Sequence, residues 1–212
     1  MVTESSQLLL RETYLGAPDG VSRMLLGKLL VRRQGDATMV GRIVETEAYF
    51  GVDDPAAHSF AGRTARTEVL FGPPGHAYVY LIYGMHACLN VSCEPEGQAG
   101  CVLIRALEPV AGLELMAVNR GLAAPVRPAM LTAGPGRLCQ AFGITRAGFN
   151  GMDLTSAGSE LQIREDGFVV GEVGVTARIG ISKAAERQAR FVVAGNACLS
   201  RGRFWNGTGG GL

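Results

Sequence analysis

The sequence predicts an α+β fold in a single compact domain spanning residues 1–212, on three observations. Alternating apolar segments come in pairs joined by tight-turn residues, amphipathic segments stand singly rather than between every pair of strands, and no repeat or long linker divides the chain. With 47% hydrophobic and 18% charged residues the chain can bury enough apolar surface to offset its ordering entropy. Residues 1–10 and 207–212, the latter with the run Thr208-Gly-Gly-Gly-Leu212, read as flexible tails.

The elements follow in order. Pro18, with Val21, Met24, Leu25 and Leu29 behind it, marks a helix with proline in its first turn, leading into a strand over Leu29–Arg33. Gln34-Gly35-Asp36 turns the chain into a second strand, Met39–Tyr49. A strand over Ala77–Tyr83 meets Gly84-Met85, glycine first as a II′ turn requires, and returns as His86–Ser92. Cys101–Ala106 is a further strand, after which Glu108-Pro109 opens a helix carrying Val110, Leu113, Met116 and Ala117 on one face. Gly134-Pro135 opens a shorter helix closed by Gly143, and strands recur at Leu161–Arg164, Val173–Ile179 and Phe191–Val193.

Composition excludes several classes of function. No apolar run approaches the ~18 residues of a membrane span, and the start of the chain lacks the basic and apolar segments of a secretory signal, so no membrane partner and a cytoplasmic or nucleoid-associated location are expected. Cys88, Cys93, Cys101, Cys139 and Cys198 form no C-x-x-C pair and are read as reduced, buried thiols, which leaves no zinc or disulfide framework. The net charge of +1 announces no partner, but residues 178–212 hold six basic groups against one acidic and read as a basic patch. Eighteen of the twenty basic residues are arginine, which suits bidentate phosphate contacts.

Three clusters could carry chemistry. At period two, Ile43, Glu45, Glu47 and Tyr49 share one strand face, so two carboxylates lie beside an aromatic. They are either a strand end emerging into water or a catalytic carboxylate beside a stacking platform. Tyr78, Tyr80 and Tyr83 lead to the hairpin turn, where an aromatic can simply pack on the sheet or project as a wedge that unstacks bases. Arg105 sits inside the apolar run Val102–Leu107, where an unpaired guanidinium is costly; Glu47 is the candidate partner, and the pairing would hold that carboxyl ionised at neutral pH. His58 follows Asp53-Asp54-Pro55-Ala56-Ala57 in a loop.

Taken together, Arg42–Tyr49, Asp54–His58, Phe71–Val91, Val102–Pro109 and Gly134–Leu138 resemble, in order, the alkyladenine (3-methyladenine) DNA glycosylase family. The resemblance runs from about Leu25 to Arg201. It implies a mixed fold with a curved antiparallel sheet, flanking helices and a protruding hairpin that enters the minor groove of double-stranded DNA containing damaged purines. By the matching positions, Tyr83 takes the place of the flipped nucleotide, Tyr49, His58 and Tyr80 stack the extruded base, and Asn90 with Leu103 shapes the pocket floor. Glu47 activates water, assisted by Arg105 and the backbone carbonyl of Ile179. Arg63, Arg66, Gly136, Arg137, Arg178 and Lys183 are the candidates for the DNA backbone. The resemblance implies a monomer with neither metal nor other cofactor, and no lyase lysine. Ala65 and Thr67 stand where proline and asparagine are common, Gln188-Ala189 replaces a Pro-Trp pair, and His86 stands where some members carry a second aromatic. A binding module using the Tyr83 hairpin without catalysis, and a nucleoside hydrolase needing the carboxylate without a wedge, are the competing readings.

Overall fold

The computed structural model describes residues 5–123 and 125–200. Among them, nine strands form one antiparallel sheet with five short α-helices packed against it. The strands are β1 (Gln7–Leu8), β2 (Leu29–Gln34), β3 (Ala37–Phe50), β4 (Ala77–Ile82), β5 (His86–Cys93), β6 (Gly100–Ala111), β7 (Leu161–Glu165), β8 (Val173–Ala177) and β9 (Gln188–Val193). The helices are α1 (Pro18–Leu25), α2 (Leu113–Asn119), α3 (Pro128–Thr132), α4 (Pro135–Ala141) and α5 (Arg146–Phe149). The main path runs β1-β7-β2-β3-β6-β5-β4, and β9 pairs with both β3 and β8.

The 14-residue β3 is the spine. One edge pairs along most of its length with β6; the other pairs first with β2 and then, at Glu45–Glu47, with β9. Ile43, Ala48, Val102, Ile104, Leu107 and Phe191 from these strands join Leu25 of α1 and Leu138 of α4 in the main core. Val21 and Leu25, one turn apart, face inward from α1, as the sequence pattern predicts.

Two sequence expectations are corrected by backbone chemistry. Glu108-Pro109 does not open a helix: β6 continues to Ala111, with Pro109 opposite Gly41 where the β3–β6 register shifts, a position that tolerates a residue with no ladder donor. The chain leaves the strand only at Gly112, whose φ of 77° suits glycine and where a Cβ would lie 2.6 Å from the Thr38 carbonyl oxygen. The hairpin turn also starts one residue early. Ile82 pairs with His86, the Met85 N–H donates to the Ile82 carbonyl at 3.2 Å, and the central residues are Tyr83 and Gly84, with φ of 52° and 72°. Two positive φ values are what a type I′ turn demands, and a tyrosine in the first of them is strained.

Smaller differences concern ends. β8 stops at Ala177, so Arg178 and Ile179 leave the strand, and β9 begins at Gln188. Within the segment read as a flexible start, Ser6 is buried and Gln7-Leu8 pair with Glu165 and Arg164; residues 1–4 and 207–212 lie outside the described residues. All five cysteines are free and buried, as expected. No helix among the described residues is long and apolar enough to cross a membrane.

Candidate active site and nucleic-acid interface

Strand register assembles the site from distant parts of the sequence. Arg190 of β9 opposes Glu47 of β3, Glu47 opposes Leu103 of β6, Leu103 opposes Asn90 of β5, and Asn90 opposes Tyr78 of β4. Directly opposed residues in antiparallel strands point to the same face, so one cross-strand row carries all five.

At one end of the row lies a buried charge cluster. Glu45 and Glu47 have no exposed surface, which removes the reading of a strand end in water. Arg105 is shared between them, with Nε 3.0 Å from Glu45 Oε1 and Nη1 3.3 Å from Glu47 Oε2. Glu45 also accepts from Arg190 Nε at 2.8 Å, from the Ser200 hydroxyl at 2.7 Å and from the Ser200 N–H at 2.6 Å. Burial alone would raise the Glu45 carboxyl, but Arg105 and Arg190 hold it below the ordinary range. Glu47 differs. Its Oε2 accepts from the Tyr49 hydroxyl at 3.0 Å and its Oε1 from the Ile179 N–H at 2.7 Å, yet burial outweighs Arg105 and these donors, and Glu45 adds repulsion, so its carboxyl is raised. The expected Arg105 pairing is present and lowers the Glu47 carboxyl as expected, but burial outweighs it, so the net shift is upward.

At the other end lies an aromatic recess of about 370 Å³, lined by Tyr49, His58, Tyr78, Tyr80, Tyr83 and Asn90 among others. His58 meets Tyr80 edge to face at a centroid distance of 4.4 Å and bonds the Tyr78 hydroxyl through Nδ1 at 3.0 Å. Loss of solvation there, with the Arg66 guanidinium beside the ring, lowers its pKa to about 4. Asn90 donates its amide to the Tyr78 carbonyl at 3.1 Å, which fixes how it faces the recess. A second recess of about 480 Å³ shares Tyr49, Tyr80 and Tyr83 and adds Leu103, Arg105, Gly136, Arg137 and Ile179. Leu103 therefore faces the second recess and Asn90 the first. Tyr83 stands at the hairpin tip, 86% exposed, with Met85 beside it at 71%.

The candidate backbone residues divide into three groups. Lys183 is exposed, and Arg63 is exposed but paired with Glu68 at 3.2 Å and set over the Phe71 ring. Arg66, Gly136 and Arg137 line the recesses, Arg66 with Nη2 3.1 Å from His58 Nε2. Arg178 is buried, its guanidinium bonded to both oxygens of buried Asp54 and, at 3.0 Å, to the Ala48 carbonyl, and its burial keeps it from a phosphate in solvent. Arg190 is equally buried, so the basic segment 178–212 is not one surface patch; its Arg201 and Arg203 lie outside the described residues.

Glu45, Asp54, Arg190 and Ser200 are site residues that sequence reasoning did not assign. Glu45 carried a signal, its period-two spacing from Glu47; Asp54 carried another, an Asp-Pro turn in which its carboxylate accepts from the Ala56 N–H at 3.1 Å. Of the departures from the family pattern, Thr67 is buried and its hydroxyl bonds Gly62 and Thr64, so the loop is held together without the asparagine. Among the described residues, no group of three or more His, Cys, Asp or Glu side chains could hold a metal ion.

Residues 12–197 match the family described as Methylpurine-DNA glycosylase (MPG). A protein of Koribacter versatilis is 57% identical over 187 residues, covering 88% of this chain and 90% of the relative. One of Methanoculleus marisnigri is 48% identical over 185 residues, covering 85% and 92%, and one of Clostridium acetobutylicum is 43% identical over 201 residues, covering 91% and 97%. Each of the three carries a provisional name as a 3-methyladenine DNA glycosylase. A match over nearly the whole chain, at these identities, means that the chain belongs to the methylpurine-DNA glycosylase family.

Proposed function

We propose that this DNA glycosylase extrudes damaged purines, of the 3-methyladenine, 7-methylguanine, hypoxanthine or ethenoadenine type, from duplex DNA and hydrolyses the N-glycosidic bond with water activated by Glu47. The observation that carries the reading is the placing of an exposed aromatic at a hairpin tip beside an aromatic recess whose row of strand residues includes a buried carboxylate. In this reading Tyr83 fills the gap left in the base stack and the recess walled by Tyr49, His58 and Tyr80 receives the base. Alkylation at N3 or N7 makes the purine cationic, and tyrosine faces attract it by about 0.5–2 kcal/mol.

Cleavage of the C1′–N9 bond leaves its electron pair on the base, so a cationic purine departs neutral, a neutral lesion such as hypoxanthine or ethenoadenine needs a proton or a donor at N7 to depart, and positive charge builds on the sugar. Glu47, raised by burial but held by Arg105, Tyr49 and the Ile179 N–H, stabilises that charge and takes the proton of the water that adds to C1′. In the free protein Glu47 is covered, with the Tyr49 phenol bonded to Oε2. The two lysines are Lys28, tied to Glu165 at 2.8 Å, and Lys183, and neither lies in the motifs that carry the resemblance, so the product expected is an intact abasic strand. The protein acts as a monomer with no metal.

The test is a panel of duplexes bearing single defined lesions, incubated in excess EDTA beside the corresponding free nucleosides. Base release from duplex only, without a borohydride-trapped adduct, supports the reading. Release from nucleosides alone, binding without release, or activity restored only by added zinc or iron would overturn it.

A further inference from the structure

Resting on the proposed cleavage, we infer that the buried Asp54–Arg178 pair is a positioning device that holds the base recess and the Glu47 carboxylate in one fixed relation. Three parts of the site converge on it. Asp54 accepts from the Phe50 N–H at 3.2 Å and the Ala56 N–H at 3.1 Å, and the Ala57 N–H donates to its carbonyl at 2.8 Å, so it shapes the loop that presents His58. Arg178 bonds both Asp54 oxygens and the Ala48 carbonyl, and its guanidinium lies 4.6 Å from the centre of the Tyr49 ring. The next residue, Ile179, donates its N–H to Glu47 Oε1 at 2.7 Å. Moving this pair therefore moves the His58 wall, the Tyr49 face and one of the donors to Glu47 together.

The chemistry of the pair suits a rigid strut. Both side chains are fully buried, and hydrogen bonds from Arg178, Ala56 and Phe50 overcome burial to hold the Asp54 carboxyl below its ordinary range, so the pair stays charged wherever the enzyme works. A bidentate guanidinium–carboxylate contact fixes orientation as well as distance, and lysine cannot reproduce it.

The experiment compares wild type with Arg178→Lys and Asp54→Asn. Expected are a fall of at least tenfold in the single-turnover cleavage rate at saturating enzyme and unchanged affinity for lesion duplex. The slope of log Kd against log salt should also be unchanged, where loss of a phosphate contact would reduce it by about 1. The acid limb of the cleavage profile should move upward in Arg178→Lys, because a loosened Ile179 donor no longer favours ionised Glu47. Of the other groups facing Glu47, Tyr49 on its own strand moves with the pair, whereas Glu45 on that strand, Arg105 on β6, Cys88 on β5, Tyr80 on β4 and Arg190 on β9 keep their places. A lower Tm with an unchanged saturating rate and acid limb would mean a purely structural pair, and weaker binding with a reduced salt slope at unchanged rate would mean a phosphate contact; either overturns the inference.

Because Asp54→Asn strands the buried Arg178 charge, the neutral double variant Asp54→Asn/Arg178→Gln is measured alongside, with the same losses expected. The Ile179 amide of 15N-labelled wild type is followed from pH 4 to 8, and a signal that does not track the acid limb of cleavage also overturns the inference. An inactive wild type would instead fail the proposed cleavage.

Discussion

Arg105 Nη1 lies 3.3 Å from Glu47 Oε2 while Nε of the same guanidinium lies 3.0 Å from Glu45 Oε1, so one cation serves two buried carboxylates. Glu45 has a second cation in Arg190 and a lowered pKa; among the described residues Glu47 has no cation paired with it besides Arg105, and its pKa is raised. A pair of adjacent acids pushed in opposite directions divides the labour into a fixed anion and a proton acceptor.

Glu47→Gln is accordingly expected to abolish cleavage while changing affinity for lesion DNA by less than about tenfold (~1.4 kcal/mol), since size and hydrogen-bonding capacity are kept. Because the ionised form is the base and the carboxyl is raised, the wild-type rate should fall on acidification at a pH above the ordinary glutamate value of 4.5. Single-turnover kinetics from pH 4 to 8 beside a binding titration check both points. Cleavage by Glu47→Gln at the wild-type rate would move the role to another acid.

Glu45→Ala should destabilise the fold by about 3–5 kcal/mol, because it leaves Arg105 short of a partner and removes the Arg190 Nε contact within the core. The lowered Glu45 carboxyl contributes stability that is present above the unfolded-state value of about 4.3 and lost as pH falls through the lower folded value. Urea midpoints at pH 7 and pH 3 should therefore differ less in the variant than in wild type. An equal difference would show that other groups set the acid sensitivity.

Tyr83→Ala should penalise a lesion opposite its normal partner more than the same lesion opposite an abasic gap, because the unpaired base costs less to extrude. Tyr83→Gly should lose cleavage similarly yet be more stable than Tyr83→Ala by about 1 kcal/mol, since glycine carries no penalty at a φ of 52°. Single-turnover rates on both duplexes and denaturation midpoints provide the readout. Equal rate losses on the two duplexes would reduce Tyr83 to a packing residue.

His58, held near a pKa of about 4, should remain neutral from pH 5.5 upward and contribute no inflection to the rate profile near its ordinary value of 6.5. Its folded pKa lies below the unfolded one, so the unfolded chain takes up a proton first and His58 disfavours the folded state increasingly as pH falls from 6.5 toward 4. Imidazole proton shifts followed by NMR measure this directly. A midpoint near 6.5 would contradict the geometry with Tyr78, Tyr80 and Arg66.

The parts of this fold that were legible in the sequence are those written by local pattern. The period-two runs of β3 and β4, the proline at the start of α1 and Gly134-Pro135 before α4 place their elements within a few residues. The Glu47–Arg105 contact was legible because a guanidinium in an apolar run has to find a carboxylate. Illegible were partners joined only by tertiary packing: Ser200 and Arg190 on Glu45, and Arg178 on Asp54, are separated by 155, 145 and 124 positions. Arg178 lies in a basic segment that reads as surface, and nothing local to it reveals that Asp54 pairs with it in the interior. Glu108-Pro109 misled for the converse reason, since its helix-opening signal is overridden by the pairing of β6 with β3.

The cross-strand row from Arg190 through Glu47, Leu103 and Asn90 to Tyr78 sets how the chain can change in length. A single inserted or deleted residue within β3, β5 or β6 flips every later side chain of that strand to the opposite face, removing one member of the row and turning its neighbour into the core. The connections at 121–123 and 155–160 lie outside helices and strands and contribute no member to the row, so length variation can accumulate there while the spacing along each row-bearing strand stays constant. Redesign of the recess is thus open to substitution at constant length, and grafted segments belong in those loops.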